Sequence, residues 1–185
     1  MLALGVPIVY AIGLSTLASI STQLDFNSAL SVVSQKLASG LDSFTLLAIP
    51  FFILSGNIMN HGGIARRLIN FARILGGRLP GSLAHCNILA NMLFGAISGS
   101  AVASAAAMGG VMHPQQVKEG YDPAFSTAVN VASAPTGLLI PPSNTLIVYS
   151  LVSGGTSIAA LFLAGYVPGI LLGLALMVIA GIIAV

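Results

Sequence analysis

Six stretches of this chain, residues 2–20, 44–59, 83–97, 101–112, 124–140 and 157–185, contain no Asp, Glu, Lys or Arg. The six basic and four acidic side chains all lie between them, and they make up only 5% of the 185 residues. A soluble domain carries about a quarter charged residues, so this chain cannot coat a water-facing surface. That excludes a soluble enzyme. A net charge of +2 is too small for a phosphate-binding patch and excludes a nucleic-acid binder. With a mean hydropathy of +1.01, the pattern is that of an all-α polytopic membrane protein. The 21 Gly and 9 Pro are many for plain spans and predict interrupted helices. The chain opens and closes inside apolar stretches, which reads as a piece of a longer subunit.

Residues 2–20 form a first span, followed by a more polar connection over 21–42 with a short helix near 30–37. Residues 44–59 form a second span, with Pro50 predicting a kink, Asn57 and Asn60 near the interface, and a stop at Asn60-His61-Gly62-Gly63. In residues 64–75 the apolar Ile64, Leu68, Phe71 and Leu75 follow helical spacing. Arg66, Asn70 and Arg73 take another face, with Arg67 at its border. This predicts an amphipathic helix lying on the membrane surface.

Residues 82–112 hold two short helical pieces, 83–97 and 101–112, separated by Ser98-Gly99-Ser100. Pieces of this length suit a re-entrant hairpin better than a crossing. Residues 113–123 are polar. Residues 124–140 are apolar, Pro141-Pro142-Ser143-Asn144-Thr145 interrupts them, and 146–152 continue. Residues 157–185 form a last span. Arg66, Arg67, Arg73 and Arg78 mark a cytoplasmic loop, and a hairpin would return Lys118 to the same side.

Asp25, Asp42, Glu119 and Asp122 all sit in connections. A proton relay or aspartyl protease needs an intramembrane carboxylate, and His61, His85 and His113 lie near segment ends. Cys86 is alone, so neither an internal disulfide nor a cysteine metal cluster is available. Intramembrane catalysis is therefore not expected.

What the apolar segments do offer is neutral oxygen at breaks. Ser98-Gly99-Ser100 leaves carbonyls of one half-helix and amides of the next without helical partners. Pro141 and Pro142 must open a helix near residues 137–140. Freed carbonyls suit a monovalent cation, and freed amides suit an anion. A divalent ion would want carboxylates. Two stripes run to these breaks, Asn87–Asn91–Gly95–Ser98 and Ser126–Asn130–Ser133–Gly137. They are read either as helix packing, through small residues and cross-helix hydrogen bonds, or as polar paths to a site.

Several segments, in order, resemble the large membrane subunit of the tripartite ATP-independent periplasmic (TRAP) transporters. They are GLDSFTLLAIPFFILSGNIMNHGGIARRLINFA (40–72), AISGSAVASAAAMGG (96–110), EGYDPAFSTAV (119–129), LLIPPSNTLIVYS (138–150) and LFLAGYVPGILLGLALM (161–177). They cover almost the whole chain and match the N-terminal half of that subunit.

The resemblance implies half of an elevator-type transporter, with one re-entrant hairpin and one broken transmembrane helix. Residues 1–81 would hold scaffold-like spans and an arm helix carrying Arg66, Arg67 and Arg73. Residues 82–156 would be half of the transport domain, and 157–185 a further span. Ser98, Gly99 and Ser100 would hold coupling sodium from one side and Gly137, Pro141 and Ser143 from the other, with Ser100, Asn144 and Thr145 at the substrate. The implied function is sodium-coupled uptake of an organic acid anion, a sialic or other sugar acid or a C4-dicarboxylate. A periplasmic binding protein would deliver it, and a small membrane subunit would be the partner in the bacterial inner membrane. The family pattern carries an acid where this chain has Ser104. A non-transporting membrane scaffold and a channel are the rival readings.

Overall fold

The computed structural model describes residues 5–42, 44–77 and 81–184. Arg78, counted above with the cytoplasmic loop, and Pro80 lie outside the described residues. Among the described residues the structure is helical, in two compact units, 1–44 and 45–185.

The first unit holds α1 (Ile8–Ile20) and α2 (Phe26–Leu41), which pack on each other. Pro7 precedes α1 with fixed φ and no amide to satisfy. Asp25 caps α2, its carboxylate accepting from the Ser28 amide at 3.1 Å. Hydrogen bonds from Ser28 hold that carboxyl below the usual range. The cap explains why α2 has 16 residues, longer than the short helix expected near residues 30–37. A capped first turn removes much of the cost of helix initiation.

A 3-10 turn (Phe44–Leu47) leads into α3 (Ala48–His61) of the second unit. Pro50 therefore sits in the first turn of α3, where an amide would have no helical partner. The kink expected there is replaced by this helix start. Next come α4 (Ile64–Gly76), α5 (Ser82–Ser98) and α6 (Ala101–Lys118), then α7 (Pro123–Ser133), the single turn α8 (Thr136–Leu139), α9 (Asn144–Val152) and α10 (Ile158–Ile183).

The core is built around α5, which packs against α3, α4, α6, α7, α8 and α10. Six consecutive residues from Leu83 to Ile88 are buried, as expected of a helix enclosed on every side. One apolar cluster joins Ile69 and Ala72 of α4 to Cys86 and Phe94 of α5 and to Met108 and Met112 of α6. A second joins Ala84 and Ile88 to Val129 of α7 and Ala180 of α10.

The outside is apolar as well. Val102, Val152, Ile74 and Leu163 are 73–83% exposed, a surface suited to lipid and not to water. Among the described residues α10 is the one helix long and apolar enough to cross a bilayer, with mean hydropathy 2.4 and 26 residues. That is about 39 Å of helix, against a hydrocarbon core of about 30 Å.

The polar segment 113–123 continues α6 as far as Lys118, because Met112 and Gln116 remain buried against α5 and outweigh Pro114. Two further expectations need correction. The apolar run 124–140 is already interrupted at Ala134-Pro135, so the opening starts before residue 137. On α4 the buried residues are Ile69, Ala72 and Gly76, while Phe71 and Leu75 of the expected apolar stripe are at least half exposed. Arg66 and Arg67 are exposed, but Arg73 is half-buried and donates from Nη2 to Gln115 Oε1 of α6. Tertiary packing against α5 has rotated the helix relative to its own polarity pattern.

Candidate functional site: a helical hairpin tip against a broken helix

The pair α5–α6 is an antiparallel hairpin. Its base is closed by Gln116 Nε2 donating to the Leu83 carbonyl at 3.0 Å, and its middle by Ser104 Oγ donating to Asn91 Oδ1 at 2.7 Å. The tip is Ser98-Gly99-Ser100. Gly99 ends α5 in the left-handed region at φ 62°, its amide returning to Gly95 O at 2.8 Å. Ser100 is extended and caps α6, its Oγ accepting from the Ala103 amide at 3.3 Å. The reversal thus takes two residues, one of which must be glycine.

The break is longer. After α8 the backbone is extended at Ile140 and stays non-helical through Pro141 and Pro142, until Ser143 caps α9 by accepting from the Leu146 amide at 3.3 Å. The structure brings this break onto the hairpin tip. The Asn144 amide points to Gly99 O at 3.4 Å, and a Cβ on Gly99 would lie 2.8 Å from Pro142 O.

The two polar stripes face each other along the approach to this contact. Asn91 Nδ2 reaches Asn130 Oδ1 at 3.1 Å and Ser133 Oγ at 2.8 Å. One turn nearer the tip, a Cβ on Gly95 would meet Gly137 Cα at 2.1 Å. Asn91 with Ser133 and Gly95 with Gly137 keep the same offset, so α5 runs parallel to α7–α8. The packing reading of the stripes holds. They are a packing seam, and the seam delivers tip and break to one place.

The expected ligands can now be sorted. Ser98 is buried, and its hydroxyl holds only contacts of 3.4 Å to the Ser100 carbonyl and amide, long for hydrogen bonds. The carbonyls of Gly99, Ser100 and Ser143 already accept from the amides of Asn144, Ser104 and Ile147. Each keeps a second lone pair. Gly137 serves as a spacer against Gly95. Pro141 is buried in the break, and Thr145 is exposed on the first turn of α9. Asn144 Oδ1 is buried without a partner among the described residues. A buried acceptor left unpaired costs about 1–3 kcal/mol, so this oxygen has a use for a cation or a donor. Asn144 and Ser98 supply neutral oxygens, a donor type that suits a monovalent rather than a divalent ion.

Sequence reasoning missed two supports of this site. One is a glycine row on α10. A Cβ on Gly165 would lie 2.3 Å from Leu139 O, and one on Gly169 would lie 2.6 Å from Ile140 Cγ1, so α10 is seated directly on the break. Glycines at i, i+4 and i+8 were the available signal. The other is the polar chain at the hairpin base. Ser126 Oγ donates to Gln116 Oε1 at 2.5 Å and meets His113 Nδ1 at 2.8 Å.

Among the described residues a helical hairpin meets an interrupted helix inside an apolar exterior, which places the chain in the class of helical membrane proteins with a broken helix. The comparisons narrow this. Residues 1–185 match the family model described as "Tripartite ATP-independent periplasmic transporter, DctM component", and the chain belongs to that family. It is 74% identical over 184 residues to the uncharacterized protein YgiK of Salmonella typhimurium, covering 100% of this chain and 42% of that protein. It is 42% identical over 178 residues to the sialic acid TRAP transporter large permease protein SiaM of Vibrio cholerae, covering 96% and 41%. It is 48% identical over 149 residues to the C4-dicarboxylate TRAP transporter large permease protein DctM of Pseudomonas aeruginosa, covering 80% and 35%. The chain thus spans about two fifths of the length of these relatives.

Proposed function

We propose that this chain is the N-terminal half of a large permease subunit in the bacterial inner membrane, taking up an organic acid anion with sodium. The observation that carries this reading is the backbone contact of Gly99 with Pro142 and Asn144, beside the unpartnered Asn144 Oδ1. The relatives are named for sialic acid and C4-dicarboxylates, which supports an organic anion as cargo. Their family description supports two partners, a periplasmic binding protein and a small membrane subunit.

In this reading the α5–α6 hairpin is re-entrant, and it moves with the broken helix as half of an elevator. Because α10 packs against α5 and α8, it belongs with that moving part, which then extends beyond residues 82–156. The amphipathic α4 is the arm. Asn144 Oδ1, Ser98 Oγ and the spare lone pairs of the Gly99 and Ser143 carbonyls would hold sodium, whose positive charge offsets the convergence of these oxygens. Ser100 and the first amides of α6 face the substrate anion. Since one ion would tie tip to break, sodium and substrate binding favour each other.

Uptake in cells carrying the whole transporter, measured against sodium at fixed pH, tests the reading. Saturable, sodium-dependent uptake is expected. Uptake that ignores sodium and follows a pH gradient would defeat it.

A further inference from the structure

Beside the hairpin tip a cavity of about 520 Å³ opens between α3 and the hairpin. Its hairpin wall includes Phe94, Ser98 and Ser100, continued by alanines of α6. Its other wall is a single row of α3, Ile53, Gly56 and Asn57, which are neighbours at i, i+3 and i+4. Gly56 sits against Ser98, where a Cβ would be 3.5 Å from the Ser98 Cα. The opposite flank of α3 exposes Phe51, Leu54 and Ile58, a lipid-facing pattern. Asn57 is the one side-chain amide on the cavity lining. Its backbone carbonyl oxygen accepts from His61 Nδ1, while its side-chain amide makes no hydrogen bond among the described residues and the residue is exposed. Ser98 and Ser100 line the same cavity, so a ligand held there can meet the free amide and the hairpin tip together.

We propose that Asn57 is a substrate-contacting residue of the permease, donating its amide hydrogens to the organic anion held against the hairpin tip. The assignment rests on the proposed transport function and extends it to a residue that the sequence placed only near the membrane interface. The Asn57 amide offers two N–H donors on the side of the anion away from Ser100. Losing a donor to a charged group weakens binding about tenfold or more.

Uptake of sialic acid, succinate and isethionate by the whole transporter would be compared for the native protein, Asn57→Ala and Asn57→Asp. For the anion that is carried, Asn57→Ala should raise KM about tenfold with the maximal rate little changed. Asn57→Asp should raise it further, because a carboxylate replaces the donors with a like charge. A purely structural asparagine would give the reverse order, since Asp keeps its shape. Asn57→Cys, in a background with Cys86→Ser, should react with a water-soluble thiol reagent and be protected by the transported anion. If the native protein carries none of the three anions, the transport reading and this inference fall together. If it carries one, while Asn57→Ala leaves KM unchanged or the anion gives Asn57→Cys no protection, the inference alone is overturned.

Discussion

The two ends of the α5–α6 hairpin are held by different chemistry. At the base, side chains hold other elements. Gln116 bridges the Leu83 carbonyl at 3.0 Å and the Ser126 hydroxyl at 2.5 Å, and Arg73 of α4 donates to Gln115. At the tip, backbone meets backbone across glycines, and the hydrogen bond that joins tip to break, from the Asn144 amide to the Gly99 carbonyl, is 3.4 Å long. The base is a fixed anchor with short bonds between defined donors and acceptors. The tip is a close steric fit with weak bonds, so its free energy is open to change by an ion that supplies what the protein leaves out. One helix pair thus combines a rigid end with an end whose contacts a ligand completes.

The comparison breaks most severely at Gly95. A Cβ there would lie 2.1 Å from Gly137 Cα, and two helix backbones cannot yield as a flexible side chain would. Gly95→Val should abolish uptake, and Gly95→Ala should reduce it at least tenfold, at an overpacking cost of about 1–3 kcal/mol. Gly137→Ala should match it, and the double variant should fall short of the sum because both act on one contact. Uptake assays and thermal melting of the purified transporter would measure both.

At the base, Gln116→Leu should remove the hydrogen bonds to the Leu83 carbonyl and the Ser126 hydroxyl, leaving the latter only His113, at a cost of about 1–3 kcal/mol. The melting temperature should drop while the sodium concentration for half-maximal uptake stays unchanged. The tip should behave oppositely. Asn144→Ala should raise that sodium concentration about tenfold, the loss of one ligand at about 1.4 kcal/mol, without lowering the melting temperature. Pro141→Ala should damage uptake more than Ser98→Ala, since the freed amide lets the helix extend into the break. Ser98→Ala should have the smallest effect, a few-fold weaker sodium dependence, because the carbonyls remain.

Much of this contrast was legible in the residues, but unevenly. Ser98-Gly99-Ser100 announced the tip, since a helix end in the left-handed region wants Gly and the next helix wants a Ser cap. Pro141-Pro142 announced the break. Its earlier start at Pro135 was missed, since a lone proline can also merely kink a helix. The stripes through Asn91 and Asn130 could be read from spacing, but not that they faced each other, because periodicity fixes a face and not its partner. The same limit hid Gln116, whose partners lie 33 residues before it and 10 after it. It also misled on α4, where packing buried Ile69 and Ala72 and engaged Arg73. Asn57 looked like an interface residue because only the fold sets it across from Ser98.

The central claim is that a cation completes the seam between tip and break. It is tested most directly by melting the purified whole transporter across a range of sodium chloride concentrations, with potassium chloride matching the ionic strength. A ligand that binds only the folded state raises its stability with concentration. The native protein should melt at rising temperature as sodium replaces potassium, and Asn144→Ala should need about tenfold more sodium for the same shift. A melting temperature indifferent to which cation is present, or a sodium response identical in Asn144→Ala, would contradict the account.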